Sequence, residues 1–317
     1  MKIGIIGAGM VGSTIAYTLT LNGVAEELVL VDVDENRAKA EAMDISHAIP
    51  FCEGGNVFSG KYKDLEDSGI IIITAGANQK KGETRLDLLN KNVEIFKTII
   101  PEIVKYAPSS ILIIATNPVD IMTEIALRLS FFAKNRVFGT GTVLDSARFR
   151  SVLAKYLGVS SKSIYANVIG EHGDSEVLLW SGAVAGTSCV ERIAKEIGVV
   201  LDGNVKKTID EDVRNSAYKI IEGKGATYFG IASAVLHIVK AIIGDSNAIL
   251  NLSTHHNIGV TGDDDICYAM PTIVGKNGVE KVLTPTMSEG EKEELILGVN
   301  ILKKYFNNIS LIDNSWF

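Results

Sequence analysis

In Ile169-Gly170-Glu171-His172-Gly173-Asp174 a single histidine is bracketed by glycines and acids, directly after an apolar stretch. Histidine is the side chain best suited to trade a proton near neutral pH, and a nearby carboxylate would hold its tautomer and stabilise its charged form. His172 is therefore the candidate general acid and base. In Leu144-Asp145-Ser146-Ala147-Arg148 the acid and the arginine stand three apart and share a helical face. That spacing alone describes an ordinary surface ion pair as well as a functional one.

A second constellation opens the chain. The apolar strand Lys2-Ile3-Gly4-Ile5-Ile6 runs into Gly7-Ala8-Gly9-Met10-Val11-Gly12, followed by a helical stretch from Ser13 to Leu21 and a second apolar strand, Leu28 to Val31, that ends in Asp32. A G-x-G-x-x-G between strand and helix, with an acid about twenty residues further on, is the dinucleotide-binding fingerprint. Gly7 permits the tight turn, Gly9 removes a side chain so that a pyrophosphate can approach, and Gly12 lets the helix sit close on the sheet. The helix N-terminus offers N–H groups to the phosphates. Asp32 can accept both ribose hydroxyls of NAD and would repel the 2′-phosphate of NADP, so NAD is the expected cofactor.

The elements that must position these groups are legible as an alternation. Ile70–Ile73 and Ile111–Ile114 read as buried strands, each ending in a polar turn, Thr74-Ala75-Gly76 and Thr116-Asn117-Pro118, where ligand-facing groups belong. Asn92 to Tyr106 reads as an amphipathic helix interrupted by Pro101, and Val137 to Thr140 as the last strand of a doubly wound α/β lobe. From Leu144 the pattern changes to longer helices, Asp145 to Leu157 and Asp210 to Ile221, and to a strand meander from Tyr268 to Leu283 with a hairpin signal at Lys276-Asn277-Gly278. Ser288 and Glu291 form a capping-box pattern for a final helix to about Tyr305. The expected organisation is a Rossmann-type parallel sheet in residues 1–143 and a mixed α+β domain in residues 144–317.

Composition narrows the class. At 317 residues and 46% apolar, with mean hydropathy +0.21, the chain can bury a sizeable core. A net charge of −7 argues against nucleic acid or an anionic membrane as partner. The first apolar strand runs into a glycine turn and not a cleavage site, so no secretory leader is expected and cytoplasmic residence is the default. Cys52, Cys189 and Cys267 are odd in number and scattered, which suggests neither disulfides nor a metal knuckle. His47, His237, His255 and His256 show no metal-ligand spacing, the close His255-His256 pair lacks nearby cysteines, and no metal is expected.

GAGMVG with Asp32, TAGANQKKGETR, TNPVD, GTVLDSARFR and IGEHGD occur in this order over nearly the whole chain. Together they resemble the L-lactate and malate dehydrogenase family. The resemblance implies reversible hydride transfer between NAD and a small 2-hydroxy acid. It makes His172 the proton donor and acceptor, Asp145 its carboxylate partner and Arg148 the grip on the substrate carboxylate. Arg85 becomes the loop arginine that polarises the reacting carbonyl, and Asn117 a contact to substrate and cofactor. Thr227 would line the substrate pocket and Ile231 the nicotinamide; Met10, Val11, Ala75 and Gly76 would join Gly7, Gly9, Gly12 and Asp32 around the cofactor. A homotetramer is implied, with a dimer as the alternative.

Gln79 then separates two substrates. Its place in the family is commonly arginine where the substrate is oxaloacetate and glutamine where it is pyruvate. A neutral glutamine can lie beside the methyl of pyruvate, whereas an unpaired second carboxylate in a closed site costs on the order of several kcal/mol. Pyruvate and lactate are therefore the expected pair, by ~100-fold or more; malate or another L-2-hydroxy acid is the alternative. Gly76 and Gly82 flank this loop and could let it close over substrate. Many bacterial members also bind fructose 1,6-bisphosphate with an arginine and a histidine. Arg150 fills the first place but Tyr165 the second, so weak or absent activation is expected.

Overall fold

The structure, a computed structural model, describes residues 1–77, 84–257 and 265–309. The chain begins β1 (Lys2–Ile6), α1 (Met10–Leu21), β2 (Glu27–Val31), α2 (Glu35–Ser46), β3 (Asn56–Ser59) and β4 (Ser68–Ile73). It continues α3 (Arg85–Tyr106), β5 (Ile111–Ile114), α4 (Val119–Ser130), β6 (Val137–Gly139) and α5 (Val143–Leu157). Short strands follow: β7 (Ile164–Tyr165), β8 (Val168–Ile169), β9 (Val177–Leu178), β10 (Val184–Ala185) and β11 (Ser188–Cys189). Helices α6 (Val190–Glu196), α7 (Gly203–Lys224) and α8 (Phe229–Ile243) lead to β12 (Ala248–His256), β13 (Ile266–Gly275), β14 (Gly278–Val282) and α9 (Glu289–Asn307).

The isoleucine runs form the centre of one sheet because they are buried on both faces, as parallel strands covered by helices must be. Strands β3-β2-β1-β4-β5-β6 lie parallel in that spatial order, with Ile70 beside Ile111 and Ile73 beside Ile114. The strand order reverses between β1 and β4, and in such sheets ligands bind at the carboxyl ends on either side of that point. The turns there are tied together. Thr74 and Ala75 donate their N–H groups to the Ile6 carbonyl, Thr74 Oγ1 donates to Gly7 O at 2.8 Å, and Thr116 Oγ1 donates to Ala75 O at 2.8 Å.

The meander from Tyr268 to Leu283 departs from expectation. It does not stay within the second half but extends the first sheet: β12 runs antiparallel to β6, pairing Ser253 with Gly139, and β13 and β14 add beyond it. The reason is burial. Tyr268 and Met270 pack into the core beside α3 and α4, while Leu252 and Val274 pack into the core beside α8, so these strands need cover on both faces. The turn at Lys276-Asn277 does form a hairpin, and Gly278 adopts φ 93°, against the Asn135 carbonyl.

Helix ends follow local chemistry. Helix α3 begins earlier than Asn92, at Arg85, because Thr84 and Asp87 cap it reciprocally, a box built with aspartate in place of glutamate. It continues through Pro101 to Tyr106; Phe96, Ile100 and Ile103 keep one buried stripe, which offsets the missing hydrogen bond. Ser288 and Glu291 cap α9 as the sequence predicts.

Candidate active site

The glycine turn has the shape a dinucleotide requires. Gly7 takes φ 102°, and a Cβ on Gly12 would sit 1.8 Å from the Gly7 carbonyl oxygen, so helix and strand touch through glycine. A Cβ on Gly9 would meet nothing within 4 Å. Packing therefore leaves the space over Gly9 for a ligand, next to the first turn of α1, which carries no side-chain cap and no acidic residue. Asp32 ends β2 with its carboxylate held by the Ala8 N–H at 2.6 Å and the Asp34 N–H at 2.9 Å, which fixes an acceptor at the mouth of the turn. These residues fit NAD. Val11 and Ile231 are both half-buried against the core between α1 and α8, whereas Met10 is exposed.

His172 sits on the segment between β8 and β9. Gly170, at φ 86°, exchanges backbone hydrogen bonds with Ala269 of β13, and the chain then turns outward with His172. The His172 Nδ1 lies 2.6 Å from Asp145 Oδ2, and the other oxygen of Asp145 accepts from Arg148 Nη1 at 2.6 Å. Asp145 is buried in the first turn of α5 and His172 is a quarter exposed, so the imidazole is braced from behind and open in front. With Nδ1 engaged by Asp145, Nε2 is left to exchange a proton.

Electrostatics bias this pair toward charge. Burial opposes protonation of His172, but Asp145, by charge and hydrogen bond, with Asp120 and Glu176 adding, pushes it up to about 9. Burial would likewise raise Asp145, and the His172 and Arg148 cations override it, holding Asp145 below the ordinary carboxylate value.

These groups meet in one cavity of about 270 Å³, lined also by Asn117, Leu88, Ile121 and Tyr305. Asn117 is set by Asn92, which donates to the Asn117 carbonyl at 2.8 Å and accepts from the Ala77 N–H at 2.7 Å, so one buried amide links the ends of β4 and β5. The Asn117-Pro118 peptide is cis. Gln79, Lys80, Lys81 and Gly82 lie outside the described residues, and so does the side chain of Arg85, whose backbone opens α3. Thr227 is half-buried in the link between α7 and α8 and does not line this cavity; nor does it cap α8, which begins after Tyr228.

Several groups that line the cavity or stand behind it escape sequence reasoning. Asp120, the last letter of TNPVD, accepts the backbone N–H of His172 at 2.8 Å and is raised to about 6 by burial. Glu176 is pushed up to about 8, by burial first and the Asp145 charge second, and its Oε1 has no hydrogen-bond partner among the described residues. Arg214 and Tyr218, one turn apart on α7, hold the Asp174 carbonyl at 3.0 Å and the Asp174 carboxylate at 2.9 Å. The i, i+4 spacing of Arg214 and Tyr218 was the available signal, but nothing local says which way that face points.

Comparison with known proteins bears on the whole chain. Residues 1–139 match the family model described as lactate/malate dehydrogenase, NAD binding domain, and residues 142–311 match lactate/malate dehydrogenase, alpha/beta C-terminal domain. The chain belongs to the lactate/malate dehydrogenase family. Among relatives in this family, an L-lactate dehydrogenase of Allorhizobium ampelinum is 48% identical over 305 residues, covering 96% of this chain and 97% of the relative. One of Thermus aquaticus is 47% identical over 303 residues, with 96% and 97% covered. Among solved structures, the minor L-lactate dehydrogenase of Enterococcus mundtii in ligands-bound form superposes with TM-score 0.94 at 39% identity, covering 98% of this chain and 99% of that one. MGS-M5, a lactate dehydrogenase from a Medee basin deep-sea metagenome library, gives 0.93 at 38%, with 98% of each chain covered.

The remaining candidates lie elsewhere. Arg150 on α5 donates to the Ala166 carbonyl at 3.0 Å and faces a second cavity of about 380 Å³ with His237 and Asn251, while Tyr165 is exposed on β7. All three cysteines are free thiols. The His255-His256 expectation needs correction: β12 and β13 pair His255 with Cys267, so a cysteine does lie beside it, brought there by strand register and not by sequence proximity. No helix among the described residues is long and apolar enough to cross a membrane.

Proposed function

We propose that this chain is an NAD-dependent L-lactate dehydrogenase, interconverting L-lactate and pyruvate. The observation that carries the reading is the Asp145 carboxylate shared between His172 and Arg148 in one cavity beside Asn117. A planar carboxylate can be gripped by the Arg148 guanidinium through parallel N–H bonds, which places the keto carbon at a defined distance from the imidazole. Held by the glycine turn and Asp32, NAD would supply the hydride chemistry at that carbon. His172 gives its Nε2 proton to the carbonyl oxygen during reduction and takes the hydroxyl proton during oxidation, with Asp145 stabilising the imidazolium in either direction. Arg85, on the family resemblance, stabilises the charge that develops on the oxygen.

Substrate choice follows from charge. The cations Arg148, Arg214 and protonated His172 face Asp145, Glu171 and Asp174 around the cavity, so its charges come close to balance before substrate enters. One substrate carboxylate is matched by Arg148; a second would have to be matched by Gln79, which carries no charge. The division of labour we propose gives residues 1–143 to the cofactor and 144–317 to the substrate, in a cytoplasmic homotetramer. Initial rates with NADH test the reading. Pyruvate should exceed oxaloacetate by ~100-fold in kcat/KM; a preference for oxaloacetate would make the enzyme a malate dehydrogenase, and no NADH oxidation with either would leave only dinucleotide binding.

A further inference from the structure

One helical turn beyond Asp120, Glu124 is completely buried and gathers four groups. Its Oε1 accepts from Arg128 Nε at 2.6 Å. Its Oε2 lies 2.8 Å from His255 Nδ1 and accepts the Cys267 backbone N–H at 3.1 Å, and the Cys267 thiol lies beside the same carboxylate. The outer nitrogen of His255, Nε2, lies 2.8 Å from Asp265 Oδ1. A neutral imidazole has one N–H. If that hydrogen goes to Asp265, as it does in carboxylate–histidine–metal arrangements, a lone pair at Nδ1 faces a lone pair of Glu124. Such a contact requires a cation: a second proton, or a metal ion.

The ligand atoms of Glu124, His255 and Cys267 lie within 4.8 Å of one another; tetrahedral ligands at about 2.0–2.3 Å from one ion stand roughly 3.3–3.8 Å apart, so a small inward shift of these side chains would close them around an ion. We propose that Glu124, His255 and Cys267 form a binding site for a borderline-soft divalent cation of the Zn²⁺ type, with water as the fourth ligand. The mixed oxygen, nitrogen and sulfur set excludes Mg²⁺ and Ca²⁺ as the preferred ions. Asp265 orients the imidazole and Arg128 neutralises the second oxygen of Glu124. The ion takes the place of two protons, one on the imidazole and one on the thiol, so the buried charge is unchanged by the exchange. It would tie α4 to the β12–β13 hairpin.

The exchange makes binding pH-dependent. A thiol binds an ion as its thiolate, so binding displaces the thiol proton and strengthens as pH rises. Among the described residues, the other charged and titratable groups near the cluster are Asp120 and Arg128 from α4 and His256 and Asp265 from the hairpin.

The test uses the full chain after chelation and dialysis, with Co²⁺ as probe. One equivalent should bind with a thiolate-to-cobalt charge-transfer band and visible ligand-field absorption, release about two protons, and be displaced by Zn²⁺. The band should persist in a Cys52→Ser/Cys189→Ser variant and vanish in Cys267→Ser. X-ray absorption of the Zn²⁺-loaded wild type should show one sulfur among nitrogen and oxygen ligands, a readout that needs no variant to fold. Absence of a stoichiometric thiolate band at mildly alkaline pH, or a band that survives Cys267→Ser, overturns the site. The first of these outcomes would leave a proton bridging His255 and Glu124.

Discussion

Two histidines of this chain each press a ring nitrogen against a buried carboxylate, and their surroundings separate them. His172 meets Asp145 at 2.6 Å with a quarter of its side chain open to the cavity. His255 meets Glu124 at 2.8 Å with 7% exposed, and its second nitrogen is closed off by Asp265. The first arrangement leaves one nitrogen to exchange a proton with a ligand; the second leaves none. A third histidine completes the series: His256 packs edge-on to Tyr268 at 4.2 Å, has no described carboxylate bonded to it, and is pushed down to about 4 by burial. Proton-transfer competence thus needs both a carboxylate behind the ring and a vacant approach in front.

The largest expected effect tests that contrast directly. His172→Asn should lower kcat about 10³–10⁴-fold with pyruvate, while His255→Asn, checked for retained fold by its melting curve, should leave kcat within about threefold. Equal losses would break the comparison. Next, Gln79→Arg should shift the pyruvate-to-oxaloacetate ratio of kcat/KM by ~100-fold or more toward oxaloacetate; an unchanged ratio would move specificity to another residue, with Arg214 the first to examine. Gly12→Ala drives a methyl into the Gly7 carbonyl and should weaken NADH binding about tenfold or more, read by fluorescence titration, and lower stability by about 2 kcal/mol or more.

The pH profile sharpens the contrast further. In the proposed mechanism reduction uses protonated His172, so kcat/KM for pyruvate should hold through neutrality and fall as pH rises through about 9, while lactate oxidation should rise over the same interval. Asp145→Asn removes the charge that favours the imidazolium, so both limbs should move down toward about 6.5 as well as losing rate. Limbs that stay near 9 would mean that Asp145 does not set the titration. The smallest expected effect is at Tyr165: fructose 1,6-bisphosphate should change the half-saturating pyruvate concentration less than about twofold, because tyrosine supplies a donor but no cation.

Much of this was readable along the chain. The glycine turn with Asp32, the isoleucine strands, the Ser288 cap and the Lys276-Asn277 hairpin depend on contacts between residues close in sequence, or on unbroken apolar runs that only a covered sheet can accommodate. Asp145 and Arg148 were visible as a pair for the same reason. What sat outside that reach were partners delivered by residues distant in the chain. Asp120 accepts the His172 backbone from 52 positions away, Glu124 reaches His255 across 131, and Asn92 joins two strand ends. Glu176, Arg214 and Tyr218 read as ordinary polar residues until the fold brings them to the cavity wall.

By itself, then, the sequence determined a dinucleotide fold with its glycine turn and one histidine set between glycines and acids, since those follow from backbone freedom and periodicity over short spans. Only the tertiary structure decided that the late meander joins the first sheet, which carboxylates stand behind which histidines, and how far burial shifts their protonation. Those quantities depend on solvent exclusion and on distances between residues far apart in the chain, and neither exists until the core has closed.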